Sequence, residues 1–138
     1  MKIFNVYTFP GKERGEDSFR RVNKLLASPN SIIQAPEFAM GVVVLEPGHG
    51  HEVHQHSGNR EICVVLEGEA VFKQSEDDAG TVIRKGDFFG FNFDEPHGFW
   101  NVSDETFYML WCYYPPGQAE EKFLIPDIEK LMEQEEGK

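Results

Sequence analysis

Positive charge is scarce in this chain. Against 24 Asp and Glu stand 13 Lys and Arg, a formal net charge of −11 over 138 residues. That argues against a general nucleic-acid binder, which needs clustered cations, and against docking on anionic membrane surfaces. Long apolar runs are lacking too. No stretch approaches the roughly 20 apolar residues of a membrane helix, and the start, Met1 to Tyr7, has no long apolar leader segment. Cysteine is limited to Cys63 and Cys112, too few for a disulfide framework. Two reduced thiols in a cytoplasmic protein are the expectation, with a single Cys63–Cys112 bridge as the alternative. Phosphate-binding glycine loops, nucleophile elbows and zinc-finger spacings are all missing.

What the chain does have is aromatic bulk and turn punctuation. Twelve Phe, four Tyr and two Trp can fill one core in a domain of this length. Residues 1–37 read as an N-terminal arm with edge strands: a short alternating stretch over Ile3 to Phe9, then an ambiguous Ser18 to Ala27 that fits a helix or a strand. From Phe38 to Pro115 short apolar runs alternate with Gly, Pro, Asn and Asp turns. About eight strands fit there, at the spacing of roughly 8–12 residues expected of an all-β sandwich or barrel. Residues 116–138 form a C-terminal segment. Within it, Pro126 to Glu136 opens with Pro and early acids and carries Ile128, Leu131 and Met132 on one stripe, so it reads as a short helix.

Chemistry concentrates between Gly48 and Gly68. His54 and His56 are two apart, so in a strand both imidazoles face one side. After the turn Ser57 to Arg60, Glu61 opens an apolar run through Leu66, and a hairpin would return its carboxylate to the histidines. Two imidazoles and a carboxylate suit a borderline divalent metal. A barrel needs a further ligand from a distant strand, and His97, after Pro96, is the candidate. His49 and His51 read as exposed loop histidines, His51 having the opposite strand parity to His54. Cys63 shares the inward face of Glu61 and reads as a small core residue. Phe89, Phe91 and Phe93 share a face and read as core. Asn101, although in an Asn-Val-Ser sequon, reads as a structural hydrogen-bonding residue.

These residues resemble the cupin family. Gly48, His54, His56, Glu61 and Gly68 match its first motif in full, with four residues between His56 and Glu61. Gly86, His97 and Asn101 fall in register with the second, where Asn92 and Asp94 replace the usual Pro and Gly of a turn. The resemblance implies an all-β double-stranded β-helix (jelly-roll) barrel with the short C-terminal helix outside it, often a homodimer. It further implies one divalent metal ion (Fe, Mn, Ni, Co or Zn) held by His54, His56, Glu61 and His97. Such a site suits an oxygenase or decarboxylase acting on a small carboxylate, carbonyl or sugar-like compound. A metal-dependent sugar (phosphate) isomerase and a non-catalytic small-molecule-binding cupin are the alternatives. The expected partner is a small-molecule ligand, with neither nucleic acid nor membrane. No separate catalytic acid or base can be assigned. Met40, Val42, Cys63, Phe89, Phe91, Phe99 and one parity of Phe107 to Tyr113 are the candidate pocket walls.

Overall fold

The run Ala39-Met-Gly-Val-Val-Val-Leu45 is apolar on both parities, the pattern of a strand covered on both faces. In the computed structural model of the chain it forms β4 (Ala39–Leu45), inside the larger of two sheets. The structure describes residues 1–55, 58–92 and 94–136. The larger sheet has the order β1 (Lys12–Arg14), β2 (Arg21–Ser28), β4, β11 (Phe107–Tyr114), β6 (Arg60–Glu67), β9 (Phe88–Phe91), with β3 (Ile33–Gln34) parallel to β2. The smaller sheet has the order β5 (Gly50–His54), β10 (His97–Trp100), β7 (Glu69–Lys73), β8 (Thr81–Arg84). Apart from the β2–β3 pair, the ladders are antiparallel. The all-β jelly roll expected from the sequence is the observed fold.

The sheets face each other across one apolar core. Leu45, Cys63, Val65, Phe107 and Met109 come from the large sheet, Ala70, Ile83 and Phe99 from the small one, and all are buried. The chain runs on from β6 in the large sheet to β7 in the small one through the single residue Gly68, both antiparallel to the β8–β9 stretch, and the φ of +81° at this bend favours glycine. A Cβ there would also lie 2.7 Å from the carbonyl oxygen of Thr106.

Of three local expectations, one is overturned, one open choice is decided and one, the short C-terminal helix, holds with a second helix added. Residues 3–9 form no strand. They cross the outer face of the large sheet, where Lys24 donates to the carbonyls of Val6 (2.8 Å) and Tyr7 (2.9 Å) and Tyr7 meets Tyr108 edge-on. That cover explains why Val42 and Val44, on the outward parity of β4, are buried. The ambiguous Ser18–Ala27 stretch resolves into the end of a 3-10 turn (Asp17–Phe19) and then β2. Its apolar residues fit either period, and pairing with β4 decides in favour of the strand. The C-terminal segment holds two helices, α1 (Ala119–Phe123) and α2 (Ile128–Glu136). Five residues carry too little periodicity for α1 to be read from sequence; burial of Ala119 and Phe123 fixes it.

Candidate functional site

β6 alternates buried and less buried residues, so Glu61, Cys63 and Val65 point between the sheets. In the opposite sheet His97 opens β10 and pairs with His54 at the end of β5. The facing sheets therefore bring three of the expected ligands together. His97 Nε2 lies 3.5 Å from Glu61 Oε1, with both side chains almost fully buried. The His54 and His97 rings meet edge-on at 4.3 Å. Phe91 lies flat on the other side of His97, at 4.5 Å and 13°. The fourth expected ligand, His56, lies outside the described residues, as does Phe93.

The reading of His51 as a loop histidine is overturned. His97 pairs with His54 but Phe99 pairs with His51, so Glu52 and Val53 together oppose the single residue Gly98. This β-bulge adds one residue to β5 and resets its parity. His51 consequently turns to the same side as His54, and their rings stack at 3.9 Å and 29°. Gly98 makes room for the extra residue. A Cβ on it would lie 2.9 Å from Val53 N and 3.0 Å from His51 O.

Hydrogen bonds fix the ring chemistry. His51 Nδ1 (2.9 Å) and His54 Nδ1 (3.0 Å) both reach the carbonyl oxygen of Glu52, and His97 Nδ1 reaches that of Glu95 at 3.0 Å. A carbonyl only accepts, so each Nδ1 carries the proton, and the lone pair of the neutral ring is on Nε2. Burial, helped by the neighbouring His54, pushes the His51 pKa down to about 2 and keeps that ring neutral. For His97, burial acts to lower the pKa, but the Glu61 carboxylate and the Glu95 carbonyl outweigh it and leave it raised. Glu61 Oε2 accepts from Cys63 Sγ at 3.2 Å. Burial and the Glu61 charge push the Cys63 thiol well up, so it stays protonated, in keeping with a small core residue. Cys63 and Cys112 are both free thiols.

Around these groups lies a cavity of ≈ 30 Å³ bounded by His51, His54, Glu61, His97 and the apolar walls of Phe99, Met109 and Trp111. Asn23, which sequence reasoning missed, also borders it and accepts a 2.9 Å hydrogen bond from Trp111 Nε1. On β4 the inward walls are Val43 and Leu45 rather than Met40 and Val42, because the strand parity is the reverse of the one expected. Tyr113 borders this cavity and also a polar cleft of ≈ 240 Å³ lined by Gln55, Asn59, Gln118 and Lys122. Burial, and then the Glu61 charge, raise the Tyr113 phenol well above its ordinary value, so the hydroxyl stays protonated. Asn101 is structural, as expected. Its amide donates to Leu45 O and Glu105 O, and its carbonyl accepts from Ser103. His49 is tied by Nδ1 to Arg20 O, outside the cavity.

Two facing sheets with a buried histidine–glutamate group between them define a jelly-roll protein with a polar centre. The family model for the cupin domain matches residues 41–113, more than half of the chain, and the chain belongs to that family. No curated protein sequence matches significantly. Among solved structures, an uncharacterized conserved protein with a double-stranded β-helix domain from Klebsiella pneumoniae subsp. pneumoniae MGH 78578 is 22% identical. It aligns over 89% of this chain and 95% of its own, with a TM-score of 0.67. A protein of Acidithiobacillus ferrooxidans ATCC 23270, provisionally named a sugar phosphate isomerase, is 25% identical over 79% of this chain and 70% of its own, with a TM-score of 0.66. A predicted oxalate decarboxylase from Thermotoga maritima is 20% identical over 83% of this chain and 99% of its own, with a TM-score of 0.67.

Among the described residues no three His, Cys, Asp or Glu side chains form a group that could hold a metal ion. Nor is any helix among them long and apolar enough to cross a membrane.

Proposed function

We propose that this cupin is a metal-dependent enzyme acting on a small carboxylate or carbonyl compound, with His54, His56, Glu61 and His97 holding one divalent ion. The observation that carries the reading is Glu61, a carboxylate buried between the sheets within 3.5 Å of His97 Nε2. Burying such a group in an apolar core is costly unless it has partners. The donor chemistry fits a borderline divalent ion. His54 and His97 have backbone carbonyls on Nδ1, the arrangement that orients an imidazole for ligation through Nε2. Glu61 adds a hard oxygen donor, and His56 enters from its place in the motif.

Such an ion, when bound, supplies Lewis acidity toward a carboxylate or carbonyl oxygen and, as iron, redox chemistry with dioxygen. The chain's own residues supply the rest. Phe91, Phe99, Met109 and Trp111 exclude water, and a cavity of ≈ 30 Å³ favours a substrate of few atoms. Tyr113, protonated and between cavity and cleft, can donate a hydrogen bond to an entering anion. Lys122 gives the cleft a positive charge that attracts one. The relative named as a predicted oxalate decarboxylase, itself a protein for a small dicarboxylate, agrees with this substrate class.

Elemental analysis of protein purified without added metal is the test, followed by oxygen uptake and carbon dioxide release with small keto and hydroxy acids. The expected result is about one transition-metal ion per chain, lost in Glu61→Ala, with turnover of at least one such acid. Turnover of an aldose or ketose phosphate instead would favour the isomerase chemistry named for the Acidithiobacillus relative. Protein that neither carries nor binds a transition metal would overturn the proposal.

A further inference from the structure

The polar centre is too small for a whole ligand. Its cavity of ≈ 30 Å³ has room for no more than about three water molecules, so even a small acid keeps most of its atoms outside. The cleft of ≈ 240 Å³ that shares Tyr113 with this cavity has space for them. We infer that the cleft is a carboxylate-binding subsite formed by Asn59, Gln118 and Lys122, and that the ligand is a dicarboxylate with one end in the cleft and the other at the polar centre. The place of the second end rests on the reading above; the cleft itself does not.

Three observations carry it. First, Asn59 is only 6% exposed, yet its side-chain amide makes no hydrogen bond with any described residue. Asn23 and Asn101, buried to a similar degree, each have partners. A buried amide is costly without one, and Asn59 lines the cleft, so its partner comes from there. Second, the fold makes room for this amide. Gly117 has a φ of +60°, and a Cβ on it would lie 2.7 Å from Asn59 Nδ2. Third, the cleft runs against the charge of the chain. Lys122 is the only charged residue lining it among the described residues, in a protein of net charge −11. The open cleft beside β9 carries Asp87 and Glu95, and the one beside β1 sets Glu16, Asp17 and Glu52 against Arg14 and Arg21.

A carboxylate only accepts hydrogen bonds, so it suits amide nitrogens and an ammonium, and bonds to a charged acceptor are the stronger kind. A monoacid fills one of the two places. A diacid fills both, and the second contact, made within one molecule, tightens the whole.

The experiment uses the full chain with succinate and butyrate as probes, four-carbon acids that differ by one carboxylate. ¹H–¹⁵N spectra follow the side-chain amides of Asn59 and Gln118 and the rings of His54 and His97. With succinate, amides and rings should move on one saturation curve, and butyrate should bind at least about 10-fold more weakly. Asn59→Leu, which keeps the size and loses the amide, should weaken succinate about 10-fold. Rings that respond while the amides stay still would overturn the inference and leave the metal reading standing. Amides and rings that saturate at separate concentrations, or equal affinity for the two acids, would overturn it too. The amide shifts should persist after chelation, so protein found to bind no metal would sink the reading above and not the cleft. The wild-type spectra decide the matter even if the variant does not fold.

Discussion

The interior of this barrel has two unlike regions. On one side Phe72, Phe89, Phe91 and Phe99 make a cluster with ring centroids 5.2 to 6.3 Å apart. On the other, His51, His54, His97 and Glu61 share a cavity with Asn23 and Tyr113. The same two sheets supply both. What differs is how each region recovers the cost of burial. The aromatic side does so through area removed from water and close packing, which tolerate small changes of angle. The polar side does so through directed hydrogen bonds, each of which must be made. Phe91 joins the two, packing against Phe72 on one side and stacking on His97 on the other. An aromatic wall behind the imidazoles thus keeps water from competing for the polar groups.

The largest expected effect is on the aromatic side. Phe99 is 4% exposed and packs against Phe72 and Phe89. Phe99→Ala should lower stability by about 3–5 kcal/mol, measured by chemical denaturation of metal-free protein. A loss below about 1 kcal/mol would mean that the cluster collapses around the hole, and the contrast between the two regions would lose its packing half.

The polar side should break more selectively. Asn23→Ala removes the acceptor of the buried Trp111 N–H and should cost about 1–3 kcal/mol, the usual penalty for stranding one partner. Adding Trp111→Phe to Asn23→Ala removes both partners, and much of the hydrogen-bond penalty should disappear although the smaller side chains leave a gap. Denaturation of the single and double variants gives the coupling energy. If the two substitutions simply add, Asn23 acts through its volume, and the polar side would be packed like the aromatic one.

The two regions were also unequally legible in the sequence. The aromatic side was readable because strand parity alone places Phe89, Phe91 and Phe99 inward. On the polar side, parity and motif spacing found Glu61, His54 and His97 but assigned His51 to the wrong face. One inserted residue in β5 flips every side chain beyond it. The only local signal is Gly98, whose missing Cβ admits the bulge, and a glycine in a strand has several other meanings. β4 failed for a different reason. Its Val-Val-Val run is apolar on both faces, and the inward parity was fixed by the cover that residues 3–9 lay over the other face, a tertiary fact. Asn23 and Lys122 come from segments whose strand or helix identity depends on packing, so their approach to the site could not be read from spacing.

The smallest expected effect concerns the cover over the polar side. Phe123 of α1 borders the cavity and packs on Trp111 at 5.5 Å, while Gln118 and Lys122 line the cleft beside Tyr113. α1 is tied down from outside the cavity by Glu120, which accepts hydrogen bonds from Ser28 Oγ and Asn30 N at 2.6 Å and Asn30 Nδ2 at 3.0 Å. Partial burial acts to raise the Glu120 pKa, but these hydrogen bonds outweigh it and hold the carboxyl below its ordinary value of 4.5. Its contribution to stability is therefore fully present above the ordinary glutamate range and is lost as pH falls through the lower folded value. Glu120→Gln should cost about 1 kcal/mol at neutral pH, since the amide keeps the shape and loses the charge. The melting-temperature difference between wild type and variant should shrink as the pH falls below 4.5. The residues around His51 and His97 are untouched, so metal affinity at neutral pH should hold. A gap in melting temperature that persisted in acid would mean that the tie is one of shape rather than charge. A fall in metal affinity would mean that the cover and the polar side are coupled through Phe123 and Trp111.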